Sequence, residues 1–138
     1  MYAAQSALAQ YKKINTESGL EGASPHRLIE LLFNCAIDRL AQAKGAMQRE
    51  DIPLKGLMLG KAVSIIGGLQ ASLDKTHNEE LAGNLDALYD YMQRRLLEAN
   101  LKNDIAMVEE VVALLVPVKE AWEQISPDPT PAPQPSID

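Results

Sequence analysis

Apolar residues recur along the chain at the three- and four-residue spacings of helices, in four separate stretches. The first has a marked start. Ser24 is a good N-cap, and Pro25 suits the first helical position, where its missing N–H costs nothing. Leu28, Ile29, Leu32, Ala36, Leu40, Ala43 and Met47 then fall on one face. The pattern predicts a helix that stops near Glu50 and Asp51, ahead of Pro53. A second helix is predicted from about Pro53 to Lys75, with Met58, Ala62, Ile65, Ile66, Leu69 and Leu73 as its core stripe. The third opens at Asn78, a good cap, followed by Glu79 and Glu80, which suit the positive helix end. Its seam of Leu81, Leu85, Leu88, Met92, Leu96 and Ala99 has the spacing of a bundle helix. Asn100 to Asn103 turn the chain, and Asn103 or Asp104 caps a fourth helix running to about Ser126. Four helices with short connections predict an all-α fold, an antiparallel up-down four-helix bundle over residues 24–126.

Two helices depart from a plain bundle pattern. In the second, Gly56, Gly60 and Gly67 share a side next to the core stripe. Each costs about 1 kcal/mol relative to Ala. Close packing against a neighbouring helix and a shallow groove for a foreign backbone both explain them. In the fourth, Met107, Val108, Val111, Val112, Leu114, Leu115, Val118, Trp122 and Ile125 cover about half the circumference, more than the roughly 100° a bundle helix needs. The leader, a second copy or a partner could bury the excess. Pro117 inside that helix removes the bond to the carbonyl of Ala113 and should bend it. Tyr89 lies at the rim of the third helix's seam, and Tyr91 points away from it.

Residues 1–23 read as a loosely docked N-terminal cap in which Leu8, Tyr11 and Ile14 share one side of a short helix. Residues 127–138, rich in proline, read as an extended, solvated tail. Lys and Arg number 13 against 19 Asp and Glu, a net charge of −6, so nucleic-acid binding is disfavoured. No basic amphipathic face invites direct membrane insertion, and no apolar run reaches about 18 residues. A single cysteine, Cys35, forbids an internal disulfide and is expected to be an inert, buried thiol. With no signal-peptide pattern, the expected compartment is the cytoplasm.

No enzymatic constellation stands out. A di-iron bundle needs paired Glu-x-x-His motifs, and there are none. No Cys-x-x-Cys-His exists for covalent haem. A phosphotransfer bundle needs an exposed mid-helix histidine, whereas His26 falls in a first turn and His77 in a connection; both are expected to be solvated. No cofactor or metal is expected. The alternatives left open are a helical phosphotransfer bundle and a self-associating adaptor whose wide fourth helix forms a homodimer.

Several segments in order resemble one family. These are the opening MY with Tyr11, ASPHRLIELLF (23–33), GKAVSIIGGL (60–69), LDALYDYMQRRLLEANLKND (85–104) and AWEQISP (121–127). The chain resembles the flagellar export chaperones of the FliS type. The resemblance implies a four-helix bundle with a mobile N-terminal cap. It implies a cytosolic chaperone that binds the disordered C-terminal segment of flagellin, prevents premature polymerisation and presents it to the membrane protein of the export gate. Family members also bind the flagellar anti-sigma factor. The family's aliphatic residue and tyrosine in the cap correspond to Leu8 and Tyr11. Pro117 and the tail depart from the family pattern. From the apolar and small positions beyond the core stripes, the second and fourth helices are expected to line one groove through Leu57, Val63, Gly67, Val111, Leu114 and Val118. Tyr91 is a further candidate contact.

Overall fold

A computed structural model describes residues 24–74, 76 and 78–125. The expectations for the cap and the proline-rich tail lie outside the described residues, as do Leu8, Tyr11 and His77. The described chain forms α1 (Pro25–Gln48), α2 (Ile52–Ala71), α3 (Glu79–Lys102) and α4 (Ile105–Gln124).

Each helix starts on a side-chain cap. Ser24 Oγ accepts from the Arg27 N–H at 3.2 Å, Asp51 Oδ1 from Leu54 at 3.2 Å, Asn78 Oδ1 from Leu81 at 3.0 Å and Asp104 Oδ1 from Ala106 at 3.0 Å. These bonds satisfy N–H groups that have no partner inside the helix. Two ends close with a left-handed residue, Glu50 (φ 59°) after α1 and Asn103 (φ 52°) after α3. The following N–H groups reach back, Asp51 to the Ala46 carbonyl at 2.8 Å and Asp104 to the Ala99 carbonyl at 3.1 Å. That pattern reverses the chain in few residues. α2 stops earlier than its periodicity suggests. Ser72 Oγ donates to the Leu69 carbonyl at 2.8 Å, competing with a further turn. Leu73 is thus a loop residue and only half-buried.

Long-range pairs fix an antiparallel order. Lys55 Nζ, at the start of α2, donates to the Asn100 carbonyl and Asn103 Oδ1 at the end of α3, at 3.1 and 3.3 Å. Near the end of α2, Gln70 meets Asp86 at 3.0 Å and Gln93 at 2.8 Å. Each helix packs against its two neighbours around a ring, α1–α2–α3–α4 and back to α1. α2 and α4 therefore face each other diagonally across the core. Phe33, Leu40, Leu59, Ile66, Met92, Leu96, Val108, Val111 and Leu115 fill that core. α2 is long and apolar enough by length and composition alone to cross a membrane, at mean hydropathy 1.4. Its place between α1 and α3, where Met58, Leu59, Ala62, Ile65, Ile66 and Leu69 are buried, accounts for that composition.

Candidate functional site: an apolar cleft at one end of the bundle

α4 carries its buried residues ahead of Pro117: Met107, Val108, Val111 and Leu115. Past Pro117, Val118 and Trp122 are only half-buried, and Ala121 and Ile125 are exposed. The seam of α3 thins in the matching place. Met92, Leu96 and Ala99 are buried, Leu85 is half-buried and Leu81 is 53% exposed. The antiparallel order sets these two under-packed stretches beside each other. Between them opens a cleft of about 410 Å³. Leu81, Leu85 and Tyr89 form one wall, and Pro117, Val118, Ala121, Trp122 and Ile125 the other. Ile29 and Phe33 of α1 and Leu69, Ser72, Leu73 and Asp74 at the end of α2 complete it.

The lining is almost wholly apolar. Tyr89 is 3% exposed, and burial pushes its phenol well above the ordinary value of 10. Asp74 Oδ1 accepts from the Thr76 N–H at 3.0 Å and its hydroxyl at 2.6 Å. Trp122 is held from behind by α1. Its ring stacks on His26 at 4.6 Å between centroids and 13° between planes. His26 Nε2 donates to the Trp122 carbonyl at 2.9 Å, and Trp122 Nε1 donates to the His26 carbonyl at 3.0 Å. His26 was expected in solvent; instead it fastens the first turn of α1 to the last turn of α4. With its ring face and Nε2 engaged, it does not offer the exposed ring that phosphotransfer needs. The cleft has the character of a receptor for apolar side chains.

The second and fourth helices do not pack against each other, because α2 and α4 are diagonal; both reach the cleft, but of the residues expected to line a shared groove only Val118 does so. Val111 has no exposed surface; it faces the core, and a charge there would test folding, not binding. Leu114 is half-buried against the core. Val118 does line the cleft. Leu57 is 54% exposed on α2, far from it in sequence register, and Val63 and Gly67 are half-buried. An added Cβ at Gly67 would meet Gln93 Oε1 at 3.3 Å, whereas Gly56 and Gly60 have open space. Close helix packing therefore does not explain the latter two. Tyr91 does not point away freely. Its hydroxyl donates to Glu110 Oε2 on α4 at 2.5 Å, and Arg95 Nε donates to the other oxygen at 2.7 Å. The Tyr91 bond, then that from Arg95, holds the Glu110 carboxyl below its usual value. The same bond raises the Tyr91 phenol.

Of the cleft residues only Val118 is among the contacts expected from the sequence; Leu81 and Leu85 read simply as seam, and Ile125 as part of the fourth helix's wide apolar arc. Their antiparallel end-to-end placement, with Pro117 between Leu115 and Val118, was the available signal.

Residues 7–129 match the family described as flagellar protein FliS. The chain is 53% identical over 126 residues to the flagellar secretion chaperone FliSB of Pseudomonas aeruginosa, covering 91% of this chain and 99% of that protein. The chain belongs to the FliS family. It is 48% identical over 128 residues to the flagellar secretion chaperone FliS of Salmonella typhimurium (92% and 94% covered). It is 35% identical over 108 residues to that of Bacillus subtilis (78% and 80% covered). The FliS match spans all four helices and every residue of the cleft, and reaches back over Leu8 and Tyr11. It ends at residue 129, leaving most of the proline-rich tail beyond it.

Proposed function

We propose that the chain is a flagellar export chaperone that holds the C-terminal segment of flagellin, keeps it from polymerising early and delivers it to the export gate. The observation that carries this reading is the apolar cleft open at one end of the bundle in a member of the FliS family. An amphipathic segment left free exposes an apolar stripe that self-associates. A cleft of this volume takes roughly two large apolar side chains, each contributing about 1.5–3 kcal/mol on burial. The helix-in-groove mode needs no nucleotide, and ordering the segment offsets about 2–5 kcal/mol of the gain. The moderate affinity that results suits later release. Leu8 and Tyr11 are assigned to contact or compete for the same apolar surface. Leu57 and Val63 on α2 are assigned to the outer path of a segment that wraps the bundle.

The test is calorimetric titration with a flagellin C-terminal fragment, and with a fragment lacking that end as control. Leu81→Asp combined with Ile125→Asp changes two half-exposed side chains on opposite walls. The double variant should keep its helical circular dichroism and bind at least about tenfold more weakly. Undiminished binding would sink the cleft assignment.

A further inference from the structure

Ahead of Pro117, α4 is tied to both neighbours: Glu110 takes bonds from Tyr91 and Arg95 of α3, Glu109 pairs with Lys44 of α1 at 2.8 Å, and Val111 and Leu115 are buried. Beyond it, Trp122 is fastened to His26 of α1 by a ring stack and two reciprocal hydrogen bonds. On the α3 side that leaves Leu81 and Leu85 lining open space. Pro117 lines the cleft and stands two turns after Glu110, which is bonded to α3, so its ring lies on the face of α4 that looks toward α3.

That placement gives the bend a direction. A proline inside a helix has no N–H for the carbonyl four residues back, here Ala113, and its ring collides with that carbonyl. Relief comes by spreading the face that carries the ring, which tilts the following turn toward the opposite side. With the ring on the α3 side, that relief directs the last two turns of α4 off α3 and toward α1. The His26–Trp122 fastening receives them there.

We infer that Pro117 is a positioning residue that wedges the end of α4 off α3 and so sets the width of the cleft, and with it the bulk of the side chains the cleft admits. The inference rests on the proposed reading of the cleft as the flagellin site. Helix-breaking at this point is then a trade of stability for opening. Pro117→Ala should restore the helical bond, let the final turns close on Leu81 and Leu85, and stabilise the free chain. Cargo would then have to reopen the cleft, and apparent affinity falls by the fraction left open.

Three measurements on the full chain decide the matter. Pro117→Ala should raise the thermal midpoint by roughly 5 °C or more, shift Trp122 emission to shorter wavelength and weaken binding of the flagellin fragment about tenfold. Trp122 is the sole tryptophan, so its emission reports the cleft wall without cargo. Opposite signs for stability and affinity are the signature; a merely structural proline would raise the midpoint and leave binding unchanged or tighter, which overturns the inference. The Leu81→Asp/Ile125→Asp variant separates the two claims. If it binds normally, the cleft is not the cargo site and the proposed function loses its site. The emission of Pro117→Ala then judges the wedge alone, a blue shift supporting it and an unchanged spectrum overturning it.

Discussion

Replacing His26 by Ala removes two of the three His26–Trp122 contacts that fasten the first turn of α1 to the last turn of α4. The hydrogen bond from Nε2 to the Trp122 carbonyl, 2.9 Å long, contributes about 0.5–1.5 kcal/mol. The ring stack at 4.6 Å contributes about 0.5–1.5 kcal/mol more. The third contact survives, because Trp122 Nε1 donates to the backbone carbonyl of residue 26. The expected loss is therefore about 2 kcal/mol, or roughly 8–16 °C in the thermal midpoint of a domain this size. Because each hydrogen bond ends on the other residue's backbone, a cycle of His26→Ala with Trp122→Ala isolates the stack. Its coupling should be about 1 kcal/mol. Urea unfolding followed by circular dichroism is the suitable assay, since the cycle deletes the only tryptophan. A loss under about 0.5 kcal/mol for His26→Ala, the range of an ordinary surface change, would refute the fastening. Strict additivity of the double variant would refute the stack alone.

Two further predictions concern sites away from the cleft. Gly60→Ala places its methyl in open space and should stabilise the bundle by about 0.5–1 kcal/mol in urea unfolding; a loss would mean that something packs on that face. Glu110 titrates below its ordinary 4.5 in the folded chain, chiefly through the Tyr91 bond and then Arg95. Its contribution is thus complete above pH 4.5 and disappears as pH falls through the lower folded value. Glu110→Gln should flatten the decline of the urea midpoint below that pH, and an unchanged acid slope would contradict the assignment.

Much of this architecture is visible in local chemistry. Ser24, Asn78 and Asp104 announce their helices because a cap is decided within three residues. The wide apolar arc of α4 is equally plain, but periodicity does not say which edge of an arc meets the core. Val111 took the buried edge and Val118 the open one. Short connections press consecutive helices together, which places α2 opposite α4; that inference was available and rules out direct packing of the pair along their length. The His26–Trp122 pair has no local signal. The partners are 96 residues apart, and only the axial register of α1 against α4 brings them together. The double engagement of Glu110 by Tyr91 and Arg95 depends in the same way on the register of α3 against α4.

Ser24 begins α1 and Ile125 follows α4 at the same pole of the bundle, and that pole carries the cleft. Anything joined directly at Ser24 or Ile125 is thereby tethered at the cleft mouth. A short flexible tether holds its load at an effective concentration on the order of millimolar. A weak apolar peptide fused at either position would occupy the cleft at strengths its free form never shows. The same geometry offers a route to a one-chain complex: an apolar segment joined directly after Ile125 needs only a short linker to reach the cleft.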